Sequence, residues 1–330
     1  MSVWSRSRIR CCLATLAATL SLGFAAPGAL PGPGAGEPYP GPYWVNPESP
    51  AARQVTEWRQ AGRDADAALI ERISLRPQAA WPHPEGVEQE VRGLTSSAAG
   101  AGRIPVLVAY NIPHRDCGGD SRGGAEDAGA YRTWVDAFAR GIGGRPAVVI
   151  VEPDAVAHLV SGCPAAPGSE RLSLLAYAVR QLKQGPATKV YLDAGHSGWI
   201  TDQSTLLEPL RDAGVGQADG FSLNVSSFQT NASSVEYGHR LSASLGGKHF
   251  VVDTSRNGNG PYTGPGDDTW CNPPGRALGI PPTAETGDAL VDAYLWIKRP
   301  GESDGTCRGG PGAGRWWPEY ALGLARAARA

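Results

Sequence analysis

Short apolar runs that stop abruptly at polar residues recur along this chain and restrict the folds open to it. The clearest run spans Ala147–Val151 and continues as Glu152, Pro153 and Asp154. A continuous apolar run is typical of a strand buried on both faces, and proline cannot continue a central strand. The sequence therefore predicts a buried strand that is followed at once by two carboxylates.

Similar runs predict six further strands, and helical patterns separate most of them. The predicted strands span residues 43–45, 104–110, 147–151, 189–194, 220–225, 249–254 and 291–298. The predicted helices span residues 86–101, 125–141, 168–184, 202–214, 233–246 and 318–329. Alternating strands and helices are typical of a parallel sheet, and about seven strands in about 290 residues suit a barrel better than an open sheet. We expect a single α/β domain built on a seven-stranded parallel β/α barrel.

The first 42 residues predict export followed by a linker. Three arginines precede an apolar stretch of roughly 15 residues that ends in small residues, which is the pattern of a secretory signal peptide over residues 1–26. Residues 27–42 are rich in proline and glycine and predict a linker, so the folded domain is expected over residues 43–330. The apolar stretch is short for a membrane span. We therefore expect a secreted, extracellular protein without a membrane anchor.

Charge and motifs exclude several classes of function. The formal net charge of −2 provides no basic surface for nucleic acid or anionic lipid. No P-loop, G-x-S-x-G elbow or H-E-x-x-H motif occurs, so we predict neither a cofactor nor a metal. We also expect a monomer. A metallohydrolase that uses Asp116, Asp154, Asp193 and His196 is the alternative, and it is disfavoured because no two histidines have ligand spacing.

Four cysteines follow the predicted signal peptide, namely Cys117, Cys163, Cys271 and Cys307. An even number in an exported protein predicts two disulfides, and three pairings are possible. Proximity in sequence favours Cys117–Cys163 and Cys271–Cys307, and each closed loop would contribute up to about 4 kcal/mol of stability in the chain-entropy model. A zinc site is disfavoured, because the sequence contains no C-x-x-C spacing.

Polar residues follow nearly every predicted strand. They are Tyr110, Asp116, Asp154, Asp193, Asn224, Asp253, Lys298, Glu302 and Asp304. In parallel α/β folds the functional site lies where the strands end and the following loops begin. We therefore expect a site lined with carboxylates at this edge of the sheet.

Asp154 and Asp116 are predicted to act as a pair, because they follow neighbouring strands. A second carboxylate nearby raises the pKa of the first, so Asp154 could remain protonated near neutrality and serve as a general acid. The alternative is that Asp154 caps a helix over residues 155–160. Asp193 either holds an ion pair at the rim or adds charge near the acid. His196 is interpreted as a hydrogen-bonded scaffold residue rather than a base.

Two carboxylates together with rim tryptophans point to a carbohydrate substrate. Glycoside hydrolysis needs one protonated acid and one carboxylate partner. Indole rings provide flat apolar surfaces, and Trp81, Trp199 and Trp270 lie in or near the predicted rim loops. Lys298 can donate hydrogen bonds to hydroxyl oxygens, and Asp304 can accept a proton from water.

The same segments resemble glycoside hydrolase family 6, the cellulases. The matching motifs occur in family order over residues 43–330 and read "YNIPHRDCGG", "VVIVEPDAVA", "YLDAGHSGW", "GFSLNVSSF", "VVDTSRNGNGP", "WCNPPGRALG" and "LWIKRPGESDGTC". The resemblance implies a distorted seven-stranded parallel barrel. It also implies hydrolysis of β-1,4-glucan or cello-oligosaccharides with inversion of configuration, and the family's two disulfides match the favoured pairings.

The resemblance also implies a role for each matching residue. Asp154 would be the general acid, Asp116 the neighbour that tunes its pKa and organises water, and Asp304 the candidate base. Tyr110 would press on the distorted sugar, and Asp193 would support the charge network. The implied substrate-binding residues are Trp81, Trp199, Trp270, Asn224, Lys298 and Glu302.

Two departures and the loop lengths refine this expectation. Many family members carry a small serine that holds the catalytic water where Arg122 stands here, with Ser121 one position earlier. No cellulose-binding module is evident, so we expect poor action on crystalline cellulose. Positions 257 and 272, and positions 307 and 314, are close in sequence, and such short loops favour an open cleft and an endoglucanase. The alternatives are an exo-acting cellobiohydrolase and a catalytically weak glucan-binding relative.

Overall fold

A computed structural model describes Met1 and residues 41–163, 168–266 and 268–329. Apart from Met1, the predicted signal peptide lies outside the described residues, as does the predicted linker up to residue 40. Residues 41 onward belong to one compact unit, and this unit is a single α/β domain. No helix in the described part of the chain is long and apolar enough to cross a membrane.

Six parallel strands form a half-barrel in this domain. They are β1 (Val106–Ala109), β2 (Ala147–Val151), β3 (Thr188–Asp193), β4 (Gly220–Leu223), β5 (His249–Asp253) and β6 (Val291–Leu295). They lie side by side in sequence order, and every neighbouring pair is parallel. In β2, Val149 and Val151 belong to the apolar cluster on the helix side, whereas Val148 and Ile150 belong to the cluster inside the curved sheet. Burial of both faces explains the unbroken apolar run and confirms the predicted strand.

The prediction of seven strands is wrong, because the segment at residues 43–45 does not form a strand. Tyr43 makes one parallel bridge to Ile104, and the Trp44 amide donates to the Ile104 carbonyl at 2.9 Å. Pro42 lacks an amide hydrogen and Pro47 follows closely, so a longer ladder cannot form here.

A short segment that the sequence did not mark connects the two edges of the sheet. The Ala79 amide donates to the Trp296 carbonyl just beyond β6, at 2.9 Å. The Ala80 amide donates to the Val106 carbonyl in β1, and the Val108 amide donates back to Ala80, both at 2.9 Å. These bonds hold the two edge strands at a fixed separation, although alanines between two prolines carry little strand signal.

The described residues contain nine α-helices. They are α1 (Pro50–Gln60), α2 (Asp64–Ser74), α3 (Val87–Gly100), α4 (Ala128–Ile142), α5 (Ala155–Val160), α6 (Gly168–Leu182), α7 (Ser204–Asp212), α8 (Asn231–Ser244) and α9 (Pro318–Ala327). The six predicted helices are confirmed within a few residues, whereas α1 and α2 were not predicted. The start of α1 carries a recognisable signal, because the Ser49 hydroxyl accepts from the Ala52 amide and Pro50 occupies the first turn.

Glu152, the first polar residue after β2, points into the protein. It is 0% exposed, and its carboxylate accepts hydrogen bonds from the amides of Asn111 and Ile112 and from the Tyr131 hydroxyl, at 2.9 to 3.1 Å. The two amides follow β1, so this side chain fixes the end of β1 against the end of β2. Burial raises the pKa of Glu152 to about 7, and these donors oppose the increase.

We expect the free energy of unfolding of the wild type, measured relative to that of Glu152→Gln, to fall as the pH rises. A carboxyl whose pKa is higher in the folded state favours folding while it is protonated, so this contribution is lost between pH 4.5, its ordinary pKa, and about pH 7. Glutamine does not titrate and lacks this loss. Thermal denaturation across this pH range measures the difference, with the exposed Glu285→Gln as control. If the free energy of unfolding of the wild type rises with pH relative to the variant, the hydrogen bonds to the carboxylate outweigh its burial.

Candidate active site

A cleft of about 960 Å³ opens where the strands end. Nine of the residues predicted for the site line it, namely Trp81, Tyr110, Asp116, Asp154, Trp199, Trp270, Lys298, Glu302 and Asp304. Asp193 and Asn224 do not line the cleft and are buried beneath it. The edge of the sheet therefore gathers most of the predicted residues into one concave surface, as the positions of the strand ends required.

The turn after β2 separates the two carboxylates that follow this strand. Glu152 and Asp154 both adopt positive φ, 47° and 68°, on either side of Pro153. Such backbone is strained for residues other than glycine and is retained where the surroundings fix it. Asp154 stands at the start of α5 but makes no side-chain cap, so the alternative of a capping role is wrong. Its carboxyl is half-buried and lines the cleft.

Asp193 supports Asp154 from below. Its Oδ1 accepts from the amides of Asp154 at 2.9 Å and Gly195 at 3.0 Å, and its Oδ2 accepts from the Ser222 hydroxyl at 3.0 Å. Asp193 is 1% exposed, and burial raises its pKa to about 7 despite these donors. Of the two roles predicted for Asp193, an added charge near the acid agrees with this geometry, because the groups that donate to its carboxylate are neutral amides and a hydroxyl.

The surroundings of Asp154 favour its protonated form. Burial raises the pKa of Asp154 well above its ordinary value, and the negative charges of Asp193 and then Asp116 raise it further. Lys298 has an opposing, smaller effect. A carboxyl of this kind keeps its proton at a pH where an ordinary aspartic acid has lost it, which is the state that a general acid requires.

Asp116 lies in a strained loop that a disulfide fastens to the end of α5. Asp116 and Cys117 adopt φ of 56° and 48°, and Cys117 is bonded to Cys163. The Ser121 amide donates to Asp116 Oδ2 at 2.6 Å, and His158 Nε2 lies 3.6 Å from Asp116 Oδ1. The first favoured disulfide is thus confirmed, and it anchors the loop that carries Asp116 beside Asp154.

Asp304 is a buried anion in the loop that follows β6. Its Oδ2 accepts from Arg256 Nη1 at 2.8 Å and from the Asn272 amide at 3.0 Å, and Lys298 Nζ lies 3.6 Å from Oδ1. Burial favours a higher pKa for Asp304, but the charges of Arg256 and Lys298 outweigh burial and lower it. Asp304 and Asp154 are therefore driven toward opposite charge states.

The sequence predicts that Asp253 and Arg256 pair with each other or with neighbours, and it does not single out Asn272. Arg256 is fully buried and pairs with Asp304. The Asp253 carboxylate instead accepts hydrogen bonds from four backbone amides, those of Ser226, Ser255, Ile297 and Lys298. The signal for Arg256 was its position in the polar stretch that follows the buried strand β5. Asn272 is adjacent to Cys271, whose disulfide with Cys307 confirms the second favoured pairing.

The predicted substrate contact of Asn224 is wrong. Asn224 is 0% exposed and adopts a φ of 66°. Its amide nitrogen donates to the carbonyls of Asp253 at 2.8 Å and Gln229 at 3.2 Å, and its oxygen accepts from the Gln229 amide at 3.0 Å. The side chain is occupied in shaping the loop after β4, because a buried amide must satisfy its hydrogen bonds internally.

Aromatic rings line the cleft at several points. Trp81 meets Tyr110 edge to face with a centroid distance of 5.3 Å, and its indole nitrogen donates to the Ile297 carbonyl. Trp199 contacts the imidazole of His158 at 4.8 Å. Trp270 is 52% exposed and so presents the most open ring of the three. Partly exposed rings of this kind provide flat apolar surfaces on a polar cleft.

His196 lines the cleft beside Trp199, with a centroid distance of 5.9 Å. Its Nδ1 is buried without a hydrogen-bond partner among the described residues, so the predicted hydrogen-bonded scaffold role is not supported at this atom. Burial lowers the pKa of His196 to about 4, which keeps the ring neutral over most of the pH range.

Comparison with known proteins identifies one family. A model for the glycosyl hydrolases family 6 matches residues 40–328. Endoglucanase A from Cellulomonas fimi is 46% identical over 291 residues, which are 87% of this chain and 61% of that protein. Endoglucanase 1 from Streptomyces halstedii is 42% identical over 293 residues, which are 84% of this chain and 87% of that protein. The chain thus spans about three-fifths of the Cellulomonas relative and most of the Streptomyces one.

A solved structure gives the same result in three dimensions. The endoglucanase Cel6 from Mycobacterium tuberculosis, in complex with methyl-cellobiosyl-4-deoxy-4-thio-β-D-cellobioside, is 46% identical to this chain with a TM-score of 0.80. The superposition covers 89% of this chain and 98% of that chain. The same overall fold therefore occurs in a relative whose structure was solved in complex with a thio-linked cellobioside.

We expect Asp116→Asn to lower the pKa of Asp154. The substitution removes one of the two carboxylate charges that raise this pKa, while burial and Asp193 remain. Carboxyl-carbon NMR titration of the folded protein measures the shift directly. Asp120→Asn is the matched control, because Asp120 lines the same cleft but does not raise the pKa of Asp154. An unchanged titration in Asp116→Asn would show that burial and Asp193 alone keep the proton on Asp154.

Proposed function

The chain belongs to the glycosyl hydrolases family 6, and we propose that it is a secreted endoglucanase that hydrolyses internal β-1,4-glucosidic bonds with inversion of configuration. One observation carries the proposal: Asp154 lies in a cleft where burial and two nearby carboxylates raise its pKa, with tryptophan rings along the same cleft. The names of the relatives agree, because the Cellulomonas, Streptomyces and Mycobacterium proteins are all called endoglucanases.

In the proposed reaction, Asp154 donates its proton to the glycosidic oxygen. The bond between this oxygen and the anomeric carbon breaks, and a water molecule attacks that carbon from the opposite face of the sugar. Asp116 stabilises the protonated acid beforehand and orders nearby water. Tyr110, whose ring lies against Trp81 and beneath the Arg115 guanidinium, would press on the sugar at the cleavage point.

Asp304 is proposed as the carboxylate toward which the proton of the attacking water moves. Its pairing with Arg256 keeps it ionised but weakens it as a proton acceptor, because the ion pair stabilises the anion. Transfer through an intervening water suits such a group better than direct abstraction. The identity of the base is therefore proposed on charge state and position in the cleft.

The proposed substrate contacts combine ring surfaces with polar groups. Trp81, Trp199 and Trp270 would stack on successive sugar rings along the cleft. Lys298 and Glu302 would bind sugar hydroxyls, and both lie in the loop after β6 that also holds Asp304. The Lys298 ammonium donates to the Ser303 carbonyl at 3.2 Å and lies 3.6 Å from Asp304 Oδ1, and an ammonium has three donors, so one is left for a sugar hydroxyl.

Internal cleavage is proposed because the loops beside the cleft are short. The segment from Asn257 to Asn272 and the segment from Cys307 to Gly314 would have to roof the cleft in a chain-end enzyme. The exposed ring of Trp270 lies on the first of these segments and is 52% accessible. An open cleft admits the middle of a glucan chain, whereas a roofed one requires threading from an end.

Proton NMR of cellohexaose during hydrolysis tests the reaction directly. We expect the α-anomer of the new reducing end to appear first, with products from internal bonds, because an inverting enzyme releases the anomer opposite to the β-linkage. First appearance of the β-anomer would instead mean that a carboxylate forms a covalent intermediate. Release of cellobiose alone would favour the exo-acting alternative, and broadening without cleavage would favour a glucan-binding relative. Asp154→Asn is the matched control, with hydrolysis lost and binding of cellohexaose retained.

Ser121, rather than Arg122, is proposed to hold the attacking water. Ser121 is half-buried and its amide is fixed to Asp116, whereas Arg122 is exposed, and its guanidinium makes no hydrogen bond or ion pair with the described residues. We expect Ser121→Ala to reduce kcat by about tenfold, the effect of one lost hydrogen bond, and to reduce it more than Arg122→Ala does. Steady-state kinetics on cellohexaose compares the two. A larger loss in Arg122→Ala would show that the arginine has taken over the role of the serine.

A further inference from the structure

Asn272 forms a reciprocal pair with Asp304. The Asn272 amide donates to Asp304 Oδ2 at 3.0 Å, and the Asp304 amide donates back to Asn272 Oδ1 at 2.8 Å. Both residues are buried, Asn272 at 3% exposure and Asp304 at 8%. The two bonds define the backbone and the carboxylate of Asp304 relative to one residue that lies elsewhere in the sequence.

The side chain of Asn272 also holds the rest of the Asp304 loop. Its Nδ2 donates to the Gly305 carbonyl at 2.8 Å and to the Ser303 hydroxyl at 3.1 Å. Gly310 leaves the necessary space, because a Cβ there would lie 2.7 Å from Asn272 Nδ2. The residues on both sides of Asp304 are thus bonded to the same amide group, which satisfies its hydrogen bonds in a buried position.

Asn272 is itself fixed by its neighbours in sequence. Cys271 is bonded to Cys307, at the far end of the Asp304 loop, and Trp270 projects into the cleft. Asn272 has a φ of 44°, a conformation that asparagine tolerates better than most residues. It therefore links a cleft tryptophan, a disulfide and a buried carboxylate through one strained residue.

We propose that Asn272 is a positioning residue that holds Asp304 in its ion pair with Arg256 and so keeps the carboxylate oriented for the reaction. The inference rests on the proposed function of the same site. The groups that face Asp304 are Arg256 after β5, Lys298 after β6 and the Tyr320 hydroxyl on α9. Lys298 also donates to the carbonyl of the neighbouring Ser303, whereas Asn272 bonds to both the backbone amide and the carboxylate of Asp304.

Asn272→Gly tests the proposal with little disturbance of the main chain. Glycine adopts positive φ freely and keeps the backbone amide, so only the side chain that holds residues 303–305 is removed. Asn259→Gly is the matched control, because Asn259 is exposed on the preceding segment and donates one bond to the Gly275 carbonyl. The measurements are kcat and KM on cellohexaose across pH, the melting temperature, and the pKa of Asp304 by carboxyl-carbon NMR.

We expect Asn272→Gly to lower kcat at least about tenfold, with little change in KM, and to move the acid limb of kcat to higher pH. The reason is that a released Asp304 loses part of its ion pair, and its pKa rises toward the ordinary value. A lower melting temperature with an unchanged pH profile and an unchanged Asp304 pKa would overturn the proposal. Asn259→Gly should alter neither the pH profile of kcat nor the pKa of Asp304.

A second variant covers the case in which Asn272→Gly fails to fold. Asn272→Asp keeps the size and the acceptor for the Asp304 amide but removes the Nδ2 donors and adds a negative charge nearby. We expect a still larger rise in the pKa of Asp304, and an unchanged pKa would contradict the inference. The NMR readout needs no turnover, so an inactive wild type would refute the proposed function while the positioning of Asp304 is judged separately.

Discussion

Three buried carboxylates hold the active edge of this sheet together, and each does so by accepting hydrogen bonds from neutral donors in neighbouring loops. Glu152 joins the end of β2 to the end of β1. Asp193 joins the end of β3 to the turn after β2 and to β4. Asp253 joins the end of β5 to the loops after β4 and β6. Every strand end is thus bonded to its neighbour, and the cleft residues inherit their positions from these bonds.

This arrangement has an electrostatic consequence. Carboxylates buried without a direct cationic partner are costly to ionise, so burial raises the pKa of Glu152 and Asp193 to about 7. Asp154 lies next to this group and is driven toward its protonated form. Asp304 is paired with Arg256 and remains an anion. Two carboxyls whose pKa values are shifted in opposite directions thus face the same cleft because their surroundings differ, which suits the proposed glycoside hydrolysis.

Much of this organisation could be predicted from the sequence. The apolar run of β2 and the carboxylates that follow it in sequence indicated at which edge of the sheet the site lies. The six confirmed helices were predicted from their periodicity. Cysteine spacing favoured both disulfides. The seventh strand was wrong because a three-residue apolar run between prolines cannot extend a ladder, and tertiary contacts recruited Ala79 and Ala80 to that edge instead.

The sequence by itself determined which residues reach the edge of the sheet, because strand length and the alternation of elements dictate where each loop begins. Only the tertiary structure decided what each residue does there. Asn224 and Asp304 both follow strands in similar polar stretches, yet one is consumed by backbone contacts and the other faces the cleft. The difference arises from partners such as Arg256 and Asn272, which are distant in sequence from Asp304, and a pKa depends on distances that no local pattern encodes.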